Sequence, residues 1–145
     1  MHPEACKLIF EEEVGRWPPD LAPVRGWVMH ELRYPVIDCE FTRPDRTPLR
    51  LKLLFDGWDE QPPSITLHSP AGVLLSTLPP NPTGIFNPSA HPVTGRTFIC
   101  MAGSREFHTH SSHLNEPWSQ FKGKPGFGIG DLMTKLWHGW LKGAG

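Results

Sequence analysis

The chain has 145 residues, 14 Lys and Arg against 15 Asp and Glu, and a formal net charge of -1. That length and a 38% hydrophobic content suit one domain around one core, residues 1–145. The balanced charge, with no block of Lys and Arg, speaks against a nucleic-acid partner, and no apolar run reaches the roughly 18 residues that a membrane span needs. The opening MHPEACKLIFEEE is acidic and lacks the apolar stretch of a secretory signal. Three cysteines, Cys6, Cys39 and Cys100, are an odd set that fits reduced thiols in the cytoplasm better than a disulfide framework.

In chain order, residues 3–15 read as a helix, with Pro3 in its first turn and Glu4 near the positive end of its dipole. Ala5, Leu8, Ile9 and Phe10 are its expected apolar face, and Gly15 ends it. Residues 17–26 (WPPDLAPVRG) read as a turn-rich link. Strands follow at 27–33, 35–42, 48–55 and 64–69. In the second, Ile37, Cys39 and Phe41 alternate with Asp38 and Glu40; in the third, Leu49, Leu51, Leu53 and Phe55 alternate with Arg50 and Lys52. Their close spacing predicts an antiparallel meander.

From Pro70 to His91 the chain reads as a long irregular crossing, rich in proline at Pro79, Pro80, Pro82 and Pro88, with Pro92 just beyond. Residues 97–101 are apolar enough to pair briefly, and residues 102–127 read as irregular again. The glycine-rich run at 123–130 matches no phosphate-binding pattern and reads as a flexible entry to a helix. Ile129, Leu132, Met133, Leu136, Trp137, Trp140 and Leu141 recur at helical spacing and predict an amphipathic helix over about 128–142, with Gly143 as its stop. The whole is an α+β pattern: a helix, four antiparallel strands, a long crossing and a helix.

This order, with its punctuation, resembles the ubiquitin-conjugating enzyme family. In FDGWDEQPPSITL, the aromatic Trp58, the paired Pro62 and Pro63 and then Ile65 and Leu67 are similar to that family's passage from third to fourth strand. His91-Pro92, a loop holding Gly95 and then Ile99-Cys100 resemble its His-Pro-Asn tripeptide and the Ile-Cys pair of its active site. Trp118, followed by the helix of Leu132 and Leu136, corresponds to its tryptophan and central helix. Three departures point to the divergent bacterial members, whose genes accompany those for a ubiquitin-like protein, an activating enzyme and a deubiquitinase-like metalloprotease. Val93 stands where the family has the Asn that organises its active site, the interval from Cys100 to Trp118 is long and histidine-rich, and the family's two last helices are missing.

The resemblance implies that Cys100 accepts a ubiquitin-like protein as a thioester from an activating enzyme and passes it to a protein or other amine acceptor, with no cofactor of its own. It also implies an architectural role for His91. On the residues alone, Cys100 is either a reachable nucleophile, with the small Ala102-Gly103-Ser104 behind it, or a buried structural cysteine. Cys39, alternating with Ile37 and Phe41, is expected in the core, as are Trp118, Trp137 and Trp140; Trp17 and Trp27 are left open. His108, His110 and His113, with Glu106 before them, are the remaining chemistry. On an extended segment His108 and His110 would share one face. Three uses stay open: acid-base catalysis beside Cys100, with Glu106 orienting an imidazole; a zinc site of Cys100, Glu106, His108 and His113 in a non-catalytic binding module; or a solvated polar loop.

Overall fold

The computed structural model describes residues 2–78 and 84–143. Helix α1 spans Pro3–Gly15, and the His2 imidazole accepts the Glu4 N–H at 3.1 Å to cap its start. Its buried face differs from the expected stripe. Cys6 and Phe10 are buried, while Leu8 is 69% exposed. Phe10 sets this rotation by packing edge-on to Tyr34 and Phe55, with ring centroids 5.5 and 5.4 Å away. The expected link at 17–26 contains a short helix, α2 (Leu21–Arg25), closed by Gly26 at φ 72°.

Strands β1 (Trp27–Arg33), β2 (Val36–Phe41), β3 (Leu49–Leu54) and β4 (Ser64–His68) form one antiparallel sheet in sequence order. Cys39 lies opposite Met29 on one side and Leu51 on the other. Because side chains alternate along a strand, Ile37, Cys39, Phe41, Leu49, Leu51, Leu53, Ile65 and Leu67 all face one side and are buried. Each Leu, Ile or Phe among them contributes about 1.5–3 kcal/mol through removal from water. The opposite face is mostly polar, with Val28 and Leu54 exposed on it, and Asp38 there is buried, because Arg50 donates to both its carboxylate oxygens at 2.7 Å and a third Arg50 nitrogen reaches the Pro70 carbonyl.

Helix α4 (Ile129–Gly143) covers the apolar face with Ile129, Leu132, Met133, Leu136 and Trp140. Gly143, expected as the stop, is its last helical residue. Trp27 belongs to the core, and Trp17 and Trp137 pack partly buried against it.

Between β4 and α4 the chain is less irregular than its prolines suggest. Strands β5 (Phe86–Asn87) and β6 (Phe98–Ile99) pair antiparallel, and the prolines at 79, 80 and 82 lie outside the described residues. Segment 102–127, expected to be irregular, holds the helix α3 (Arg105–Thr109) and single 3-10 turns at Ser111–His113 and Trp118–Gln120. The signal for α3 is Ser104, whose hydroxyl accepts the Phe107 N–H as an N-cap. Among the described residues, no helix is long and apolar enough to cross a membrane.

Candidate active site around Cys100

Cys100 directly follows β6, and its N–H donates to the Ile85 carbonyl at 2.7 Å. It is half-buried, unlike Cys6 and Cys39, which are fully buried. Burial, with the nearby Asp38 and Glu40 charges, pushes the Cys39 thiol up to about 12, so it is inert at neutral pH. Behind Cys100 the backbone turns tightly. Gly103 has φ 104°, and a β-carbon there would stand 2.5 Å from Leu132 Cδ2 on α4, so only glycine fits. Ser104 donates to the Ile99 carbonyl while capping α3. These bonds hold α3 to the end of β6, beside the thiol.

The Cys100 Sγ lies 3.7 Å from His113 Nε2, and His113 Nδ1 lies 2.7 Å from Glu116 Oε2. The His113 ring stacks on Phe107 at 3.9 Å between centroids and 16° between planes. A carboxylate can only accept, so Nδ1 carries the imidazole proton and Nε2 presents its lone pair to the thiol. Glu116 is a residue that the sequence did not single out. Its one signal was its position three residues after His113, within reach across a single turn. Burial, and after it the Glu116 charge, push the Cys100 thiol up. The thiol is therefore protonated at neutral pH, and attack by sulfur requires a base to take its proton as the bond forms. His113 Nε2 is placed to do this.

The other expected residues have different places. His108 lies inside α3, not on an extended segment, so it does not share a face with His110. Its Nε2 accepts the Gly103 N–H at 3.1 Å, and its Nδ1 donates to the Glu116 carbonyl at 2.7 Å. Burial lowers its pKa and favours the neutral form that these two bonds require. His108 thus ties the turn behind Cys100 to the residue that orients His113. His110 caps the end of α3, and its Nδ1 is engaged by the Ser112 N–H and hydroxyl. It stacks on Phe98 at 5.4 Å, and its ring centroid is 6.0 Å from that of His113.

Glu106 corrects the expectation that it orients an imidazole. It is buried on the side of α3 that meets β4, where it accepts the Ile65 N–H at 2.7 Å and the Ser64 hydroxyl at 2.8 Å. The carboxylate at the thiol is Glu116, ten residues further on. The same placement breaks up the expected zinc set of Cys100, Glu106, His108 and His113. Both Glu106 oxygens and both His108 nitrogens are engaged elsewhere, and among the described residues no group of three or more His, Cys, Asp or Glu is gathered to hold a metal.

His91 is buried, accepts the Val93 and Thr94 N–H groups at Nδ1 and donates from Nε2 to the Glu106 carbonyl at 2.7 Å. Nδ1 thus closes the loop that precedes β6, and Nε2 ties that loop to α3. Val93, in the same loop, is 74% exposed. Trp118 is buried, donates to the Asp59 carbonyl at 2.8 Å and packs against both Trp58 and His108, so it supports the floor of the site. No family model matches the sequence, and no curated protein is significantly similar to it.

Proposed function

We propose that the protein is a conjugating enzyme for a ubiquitin-like protein, on a fold of the ubiquitin-conjugating type. One observation carries the proposal: a half-buried thiol with an imidazole nitrogen 3.7 Å away, the imidazole being held by a carboxylate. An activating enzyme presents the ubiquitin-like protein as a thioester. Cys100 Sγ attacks its carbonyl carbon, His113 Nε2 takes the thiol proton, and the activating enzyme's thiol leaves. An amine of a protein or other acceptor then attacks the new thioester and releases Cys100. His113 is again the nearest base, here for the proton of the amine. Glu116 keeps the imidazole in the tautomer that can accept. The element order, the paired prolines before β4, the His91-Pro92 loop beside Ile99-Cys100 and the position of Trp118 support the family assignment.

The test is to mix the protein with its cognate activating enzyme, ubiquitin-like protein and ATP. A reductant-sensitive adduct should form and be lost in Cys100→Ser. An adduct that persists unchanged in that variant would refute the assignment.

A further inference from the structure

The geometry at Cys100 points to a second activity, the hydrolysis of small acyl thioesters without any protein partner. It rests on Cys100 being the acyl-accepting thiol, as in the conjugating reaction, but needs neither the activating enzyme nor the ubiquitin-like protein. Cys100, His113 and Glu116 stand in the order nucleophile, base and orienting acid along one line of hydrogen bonds, 3.7 Å and then 2.7 Å. That is the arrangement by which a thiol is both acylated and deacylated at one site.

The first half-reaction matches loading. Sγ forms a bond to the acyl carbon, the incoming thioester's C–S bond breaks, and the thiol proton passes through His113 to the leaving thiolate. The second half follows from what acylation leaves behind. The S–H that occupied His113 Nε2 is gone, so the lone pair is free beside the new thioester. The ring cannot easily turn away, because it is stacked on Phe107 and bonded to Glu116. Water can reach it, since the His113 and Glu116 side chains keep 25% and 43% of their surface exposed. A water molecule that donates a proton to Nε2 adds its oxygen to the acyl carbon. The C–S bond to Cys100 breaks, the proton returns from Nε2 to Sγ, and a carboxylic acid leaves. No oxidant, metal or nucleotide enters the balance. The substrate class follows from the setting of the thiol. A half-buried sulfur set beside the His113 ring suits a narrow, unbranched acyl group such as an N-acylglycyl group.

The probe is the N-acetylglycyl thioester of 2-mercaptoethanesulfonate, supplied in excess to the full chain, with released thiol and N-acetylglycine both measured. Many equivalents of each per protein are expected. The rate should fall by about 100-fold in His113→Gln, the usual scale for loss of a positioned base, and vanish in Cys100→Ala. Glu116 acts as a positioning residue, so Glu116→Asp should retain turnover that Glu116→Ala loses, at matched melting temperatures. One equivalent of acylated Cys100 with no further turnover would overturn the hydrolysis and leave the conjugating assignment standing. Failure to acylate Cys100 at all would overturn it as well. Sustained turnover in a protein that never accepts the ubiquitin-like protein would overturn the conjugating assignment alone.

Discussion

At Cys100 two effects on the thiol have the same sign and different origins. Burial raises its pKa, and the Glu116 carboxylate adds to the rise because a thiolate next to it would be a second negative charge. Glu116 therefore makes the resting thiol less reactive while holding the base that activates it. The two roles separate in Glu116→Gln. Without the charge, the thiolate forms at lower pH, so the pH profile of Cys100 alkylation by iodoacetamide should move downward. Turnover of an acyl substrate should fall, because the amide no longer fixes the His113 tautomer. A profile that moves upward would show that Glu116 acts on the thiol mainly through His113, not through its own charge.

At the scale of elements, α3 is too short to hold itself together and depends on its neighbours. Glu106 clamps it to β4 and, through its backbone carbonyl, to His91. Burial is the leading influence on this carboxyl and raises its pKa, against the hydrogen bonds from Ile65 and Ser64. The protonated form is thus favoured in the fold more than in the unfolded chain. Its contribution to stability is complete below the unfolded carboxyl's pKa and is lost as pH rises through the folded value. Glu106→Gln, which keeps a carbonyl for the Ile65 N–H, should gain stability relative to the parent protein as pH rises through that window. Glu106→Ala leaves the buried Ile65 N–H without a partner and should cost about 1–3 kcal/mol. Urea unfolding across pH measures both. The sequence pattern could not separate Glu106 from Glu116, because both lie within a few residues of the histidines. What separates them is β4, some forty positions earlier, which takes one carboxylate and leaves the other for the thiol.

Across the whole molecule, one side chain joins the two ends of the described chain to its middle. Glu13 on α1 accepts the Trp58 indole N–H at 2.6 Å and the Ile129 N–H at 3.0 Å. The second bond satisfies an otherwise unpaired donor at the start of α4 and places a negative charge at the positive end of that helix. Glu13→Ala should destabilise the fold by about 1–3 kcal/mol, measured by thermal or urea unfolding. The effect on Cys100 alkylation in the folded protein should be small, since Glu13 bonds to neither α3 nor β6. The end helices, the four-stranded meander and the burial of Cys39 were all legible from residue order, because helical and strand periodicities are local and each marks its own buried face. Even there the register of α1 depended on Phe10 meeting Tyr34 and Phe55. The company of Cys100 was not legible. A histidine can accept from a backbone, donate to a carboxylate or serve a thiol, and its neighbours in sequence do not say which. His108 went to Gly103, His91 to Val93 and Glu106, and His113 to Cys100 only when Ser104 started a helix, Gly103 let the chain lie against Leu132, and Phe107 came beneath the ring.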